Sequence, residues 1–201
     1  MSATEHDADG WWETRYREGH TPWDREAPSP ALDRWLESGR LRPGRIVVPG
    51  CGRGHEVIEL ARRGFAVVAL DFAPTPLALL RQRLTEQGLT ADVLQVDMFE
   101  WRPARPFDAI YDQTSLCALR PGQWRPYANK LYDWLRPGGH LFALFMQTHR
   151  PGGPPYHCDL DEMRRVFPVS RWCWPATAEF ELPHPVGYLE HAYVLQRQPQ
   201  D

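Results

Sequence analysis

The chain has 201 residues, 42% of them hydrophobic and 24% charged, a balance that suits one globular domain around one well-buried core. Lys and Arg number 23 against 26 Asp and Glu, so the net charge of −3 gives no basic surface for nucleic acid or an anionic membrane. No apolar run approaches the roughly 20 residues of a transmembrane helix, and the polar, acidic start MSATEHDADG is unlike a signal peptide, so a cytoplasmic protein is expected.

In chain order, Trp11, Trp12 and Tyr16 are spaced for a short helix over 11–18, followed by the proline-rich loop GHTPWDREAPSP at 19–30. ALDRWLESG (31–39) is a helix stopped by Gly39, and RIVVPG (45–50) is a buried strand. HEVIELARRG (55–64) has helical periodicity in Val57, Ile58, Leu60 and Ala61. FAVVALD (65–71) is a second strand, and TPLALLRQRLTEQG (75–88) a helix with Pro76 near its first turn. ADVLQVDMF (91–99) and FDAIYDQ (107–113) are the third and fourth strands. WRPYANKLYDWLRPGG (124–139) is a helix ended by Pro137 and Gly138, followed by the strand HLFALFM (140–146). DLDEMRRVF (159–167) is a last helix, with strands at 170–181 and 188–197. Strands alternating with helices imply βαβ units and a parallel sheet, and the two late strands imply an antiparallel hairpin at one edge. The expected fold is α/β, a doubly wound, mostly parallel, seven-stranded sheet in one domain over 1–201, with its ligand at the carboxyl ends of the strands. Cys51, Cys117, Cys158 and Cys173 form no CxxC pair, and the eight histidines show no ligand spacing, so free thiols and no metal are expected.

VVPGCGRGHE (47–56) places Gly50, Gly52 and Gly54 in the first strand-to-helix turn, where a backbone can wrap closely around a small molecule. The spacing is G-x-G-x-G, whereas the dinucleotide fingerprint is G-x-G-x-x-G. Asp71 ends the second strand, 71 − 50 = 21 residues after the first glycine, where a carboxylate accepts from ribose hydroxyls. Asp97 ends the third strand, placed to accept from an adenine amino group, with Met98 and Phe99 as apolar cover for the ring. No G-K-[ST] follows the glycines, and Arg53 is the one basic residue in the turn, so nothing cradles phosphates. An adenosine ligand without phosphates points to S-adenosylmethionine.

TPWD (21–24), VPGCGRGHE (48–56), LDFA (70–73), DMFEWRP (97–103), FDAIYDQTSLCAL (107–119), RPYA (125–128) and GGPPY (152–156) resemble the thiopurine S-methyltransferase family of class I S-adenosylmethionine-dependent methyltransferases. The glycine turn and GGPPY are most similar to its thiol and halide methyltransferase members, and the resemblance runs over about residues 11 to 167. It implies residues 1–40 as an aromatic lid over the cofactor and 41–201 as the α/β core. It also implies Trp12, Tyr16 and Trp23 as rings closing over the cofactor, Gly50 as the glycine-turn contact, Asp71 as the ribose acid and Asp97 with Met98 at the adenine. Gln113 matches a further cofactor contact, but stands where thiopurine-type members carry Arg; Tyr16 stands where relatives often have Trp.

A sulfonium over an aromatic face gains roughly 0.5–2 kcal/mol, which gives the lid a physical reason. Transfer of its methyl group to a soft nucleophile needs placement and desolvation, with a cation nearby where a thiol must ionise. Arg125, in WRPYA, is the candidate for that cation, and Tyr156, in GGPPY, is expected to face the acceptor pocket. The expected function is methylation of a thiol, sulfide, thiocyanate or halide by a monomer. A thiopurine or a selenium or tellurium compound is the alternative acceptor. A nicotinamide-dependent oxidoreductase and a non-catalytic adenosylmethionine-binding module are the competing classes.

Overall fold

A computed structural model describes residues 10–199. Its centre is the apolar run Arg45–Pro49 (β1), buried on both faces. Ile46 and Val48 pack on one side of the sheet and Val47 on the other, the period-2 alternation of a strand covered by helices on both faces. Four further parallel strands flank it: Ala66–Asp71 (β2), Asp92–Gln95 (β3), Phe107–Gln113 (β4) and Leu135–Gln147 (β5). Trp172–Cys173 (β6), Phe180–Pro183 (β7) and Leu189–Arg197 (β8) complete a mixed sheet in the order β3-β2-β1-β4-β5-β8-β6. β8 runs antiparallel to β5, and β6 and β7 both pair with β8 beyond it.

Pro30–Glu37 (α2), His55–Arg62 (α3) and Pro74–Glu86 (α4) cover one face. Trp124–Trp134 (α6) and Leu160–Val166 (α7) cover the other. Trp11–Arg17 (α1) contacts α4, and the short helix Ser115–Ala118 (α5) follows β4 directly. The Ser29 hydroxyl caps α2 by accepting from Ala31 N–H, and the Asp159 carboxylate caps α7 by accepting from Glu162 N–H at 2.9 Å.

The doubly wound architecture expected from the sequence is the observed one. Three elements differ in detail. The strand expected over 91–99 stops at Gln95, because the Asp97 carboxylate accepts from Phe99 N–H at 2.8 Å and turns the chain. The helix expected over 124–139 ends at Trp134, and Leu135 already pairs with Phe107. Residues 136–139 then form a bulge before His140 resumes the ladder opposite Ala109. The strand expected over 170–181 is two short strands, so an eighth strand is counted although the sheet has seven positions. Cys51, Cys117 and Cys158 are buried free thiols, and Cys173 is exposed.

Candidate active site

Strand order reverses beside β1, since β2 lies on one side of it and β4 on the other. The cleft at their carboxyl ends is where an open α/β sheet takes a ligand. The glycine turn follows β1, and all three glycines have positive φ: +57° at Gly50, +50° at Gly52 and +69° at Gly54. A Cβ on Gly50 would lie 2.6 Å from Ser115 Oγ, and one on Gly52 2.6 Å from the Tyr16 hydroxyl. The turn thus packs against α5 on one side and against the aromatic lid on the other.

Asp71, at the end of β2, is 8% exposed. Its carboxylate accepts from Gly52 N–H and Ala73 N–H, each at 2.9 Å, and so ties the glycine turn to the start of α4. Burial pushes its carboxyl above the ordinary value, against the backbone N–H groups that favour the anion. Each oxygen keeps lone-pair capacity for a further donor.

Two cavities open beside this turn. The larger, of about 220 Å³, is mostly apolar. Asp71, Phe72, Val96 and Met98 line it from the ends of β2 and β3, and Leu119, Met146, Pro154, Pro155, His184 and Val186 from the end of β5 and the segments after β4, β5 and β7. Trp12, Tyr16 and Trp23 line it from α1 and the loop that follows, each ring meeting Trp23 edge-on: Trp12 at 5.1 Å and Tyr16 at 5.8 Å between centroids. The smaller cavity, of about 70 Å³, is polar and shares Tyr16, Trp23, Gly50 and Thr114 with the first. Asp24, Arg25, Arg53, His55 and Gln113 line the rest of it.

The lid segment is held at three places. Glu13 accepts from Thr75 N–H at 3.1 Å and from its hydroxyl at 2.5 Å, placing a carboxylate at the start of α4. Asp24 accepts from Arg53 at 3.0 Å and pairs with the His55 ring at 3.0 Å, at the start of α3. Burial opposes ionisation of Asp24, but the His55 ring, Glu26 N–H and Arg53 outweigh it and hold its carboxyl below the ordinary range. Arg25 donates to Glu190 on β8 at 2.9 Å and to the Pro183 carbonyl at 2.7 Å. Glu190 is buried, and that burial raises its carboxyl to about 7 in spite of Arg25.

The structure therefore brings Trp12, Tyr16, Trp23, Gly50, Asp71 and Met98 together around one cavity, with Gln113 in the adjoining polar one. Three expected site residues stand elsewhere. Asp97 is exposed and lines neither cavity; its carboxylate accepts from Phe99 N–H in the turn after β3. Arg125 is exposed on α6, where Trp124, Tyr127 and Ala128 take the inward face, so it cannot assist a nucleophile in the cavity. Tyr156 is half-buried with its ring against Gly153, while its N–H donates to the Cys117 carbonyl at 2.7 Å; Pro154 and Pro155 face the cavity instead.

Arg15 and His184 were missed. Arg15 follows Trp11 by four residues, and its guanidinium lies 3.8 Å from the Trp11 ring centroid while it lines the larger cavity. The helical spacing of 11, 12, 15 and 16 carried that signal. His184 lies in an aperiodic stretch and carried none. Among the described residues, no group of three or more His, Cys, Asp or Glu side chains could hold a metal ion.

The thiopurine S-methyltransferase family model matches residues 6–174. The chain is 38% identical over 165 residues to a probable thiol methyltransferase 2 of Arabidopsis thaliana, covering 79% of this chain and 71% of that protein. It is 32% identical over 182 residues to thiocyanate methyltransferase 1 of the same plant, covering 89% and 79%. The fold is similar to that of the N-methyltransferase NodS from Bradyrhizobium japonicum WM9, solved with S-adenosyl-L-homocysteine, with a TM-score of 0.74, 17% identity and coverage of 96% and 100%. With the family model matching most of its length and relatives more than 30% identical, the chain belongs to the thiopurine S-methyltransferase family and is an S-adenosylmethionine-dependent S-methyltransferase.

Proposed function

We propose that this enzyme methylates small soft anions: a thiolate, sulfide, thiocyanate or halide. The observation that carries the reading is the wall of the larger cavity away from Asp71. Leu119, Met146, Pro154, Pro155 and Val186 offer apolar surface there and no carboxylate or lysine. His184 is the one titratable ring among them, and burial, with Arg25 behind it, lowers its pKa to about 4. So weak a base gives little help in deprotonating an alcohol or amine. A soft anion arrives already nucleophilic and sheds its water at modest cost.

When bound, S-adenosylmethionine supplies a methyl group activated on a sulfonium. The residues present fit it. Gly50, whose Cβ would meet Ser115, leaves room for close backbone approach, and Asp71 keeps acceptor capacity for ribose hydroxyls. Phe72, Val96 and Met98 give apolar cover for a purine, and the polar cavity with Arg25, Arg53 and Gln113 suits an α-amino acid end. Trp12, Tyr16 and Trp23 line the cavity, where a ring face attracts a cation and the rings together keep water out. Holding both reactants in line contributes up to about 7–11 kcal/mol, so orientation alone accounts for much of the rate.

The same proposal has residues 1–40, of which 1–9 lie outside the described residues, acting as lid to a single domain that works as a cytoplasmic monomer on small molecules, without nucleic acid. Supporting it are the net charge of −3, the absence among described residues of a helix long and apolar enough to cross a membrane, and a described surface whose exposed large apolar side chains are only Leu79, Val169 and Leu189.

The test is a screen of thiocyanate, iodide, sulfide, an aryl thiol, a thiopurine, a catechol and an amine with labelled methyl donor. Soft anions should turn over. The thiol rate should rise with pH until the thiol is ionised, whereas iodide and thiocyanate should show no such acceptor titration. Methylation of the catechol or amine, with thiols and halides inert, overturns the proposal.

A further inference from the structure

His184 follows directly on β7, in the tight turn to β8, where its N–H donates to the Tyr188 carbonyl at 2.8 Å. Arg25 fixes the approach to this turn by donating to the Pro183 carbonyl. The His184 side chain is 4% exposed at the residue level and lines the larger cavity beside Met146, Pro155 and Val186. Its Nδ1 accepts from Val186 N–H at 3.3 Å. A backbone N–H can only donate, so in the neutral ring the proton sits on Nε2. Nε2 is buried and has no protein partner. Buried N–H donors are almost always satisfied, and this one belongs to a residue that lines a cavity able to hold a partner.

Its place in the sheet says which ligand. β1, β4 and β5 separate this turn from the β2 and β3 ends, where Asp71 and Met98 stand. The His184 side chain therefore lines the cavity from the strands farthest from the expected nucleoside contacts. Apolar side chains surround it, and the other basic residue of the wall, Arg15, has its guanidinium against Trp11. Near the ring, Arg25 is paired with Glu190, and its charge adds to the burial that keeps the His184 ring neutral.

We propose that His184 binds the methyl acceptor, donating one hydrogen bond from Nε2–H to the nucleophilic anion and selecting polarisable, weakly hydrated monoanions. The assignment rests on the acceptor class proposed above. A neutral donor suits this task. It orients an anion in a dry cavity without forming a buried ion pair that would hold it in the ground state. A neutral donor on a mostly apolar wall fits iodide, thiocyanate or a thiolate, and gives a strongly hydrated anion such as fluoride or sulfate little to replace its water.

The test uses the full chain with thiocyanate as probe. In the S-adenosylhomocysteine complex of ¹⁵N-histidine-labelled enzyme, thiocyanate should shift the protonated Nε2 resonance of His184, a measurement that needs no variant. His184→Leu should raise the KM for thiocyanate about tenfold or more, as loss of a hydrogen bond to a charged group does. Its affinity for S-adenosylhomocysteine should stay within about twofold, and His184→Gln, which restores an N–H donor, should recover part of the KM. An unmoved His184 resonance on saturation with thiocyanate, or an unchanged KM in a folded His184→Leu enzyme that still turns thiocyanate over, overturns the assignment. Wild-type enzyme that binds S-adenosylhomocysteine but methylates no thiol, thiocyanate or halide removes the acceptor class first, and this assignment with it.

Discussion

Asp71 is a side chain that the fold uses at the place proposed for the ribose. Its two oxygens brace Gly52 and Ala73, so the glycine turn keeps its shape through the group proposed to hold the ribose. Asp71→Ala should weaken S-adenosylhomocysteine binding by about 1–3 kcal/mol and also lower the melting temperature, since two backbone donors lose their partner. Calorimetric titration and thermal denaturation read the two effects separately, and unchanged affinity would sink the ribose assignment. A substitution that spared the fold would be expected only if the carboxylate ended its strand free of backbone bonds, which it does not. Arg125 gives the contrary case. Helix phase turns it outward, so Arg125→Ala should leave kcat and KM for a thiol within about twofold. A raised apparent thiol pKa in that variant would return the residue to the site.

The lid and the glycine turn are the elements on which the site depends. α1 and its loop bury little on their own account; they are held by Glu13 to α4, Asp24 to α3 and Arg25 to β8. Trp23 contacts Trp12 and Tyr16 and lines both cavities. Trp23→Ala should therefore weaken S-adenosylmethionine more than S-adenosylhomocysteine, by an extra 0.5–2 kcal/mol or so if the ring meets the sulfonium. Equal weakening of the two ligands would make Trp23 apolar cover only. In the turn, Gly50 combines a φ of +57° with a Cβ position 2.6 Å from Ser115 Oγ. Gly50→Ala should cost about 1–3 kcal/mol of stability through backbone strain, before any effect on the cofactor. Denaturant unfolding of the variant measures it, and wild-type stability would mean that the turn relaxes freely.

Across the whole molecule, buried titratable groups give stability a pH dependence of mixed sign. Burial raises Asp112 to about 6 and Glu190 to about 7, so the folded state holds their protons more tightly than the unfolded chain does. Their contribution is complete below the ordinary carboxylate range and is lost as pH rises through the folded values. His184, lowered to about 4, acts in the opposite sense: its contribution is complete above its ordinary 6.5 and is lost as pH falls towards 4. Asp112 is the cleanest to test, because no ion pair is among the causes of its shift. A rise from 3.8 to about 6 corresponds to about 3 kcal/mol lost between pH 4 and 7. Asp112→Asn should remove that loss, so the stability difference from wild type should change by about that amount across this range in urea melts. A constant difference would place the folded-state pKa of Asp112 near its ordinary value.

The chain's local patterns determined the five parallel strands, the helices between them, the glycine turn and its partner Asp71. Each depends on residues close in sequence, where apolar period and glycine placement act directly on the backbone. Met98 was legible from its place at the end of the third strand and the cavity-lining aromatics through resemblance to a family, and the structure brings them to the cavity. Asp97 and Arg125 lie outside the cavities for reasons of phase: β3 ends at Gln95, two residues before the Asx turn of Asp97, and one residue's shift on a helix rotates a side chain by about 100°. Only the tertiary structure decided the acceptor end. Pro154, Pro155 and His184 come from segments without periodicity, and β8, pairing antiparallel with β5, carries the His184 turn to the cavity. That pairing is a contact between distant parts of the chain, set by how the sheet closes its edge, and no window of sequence contains it.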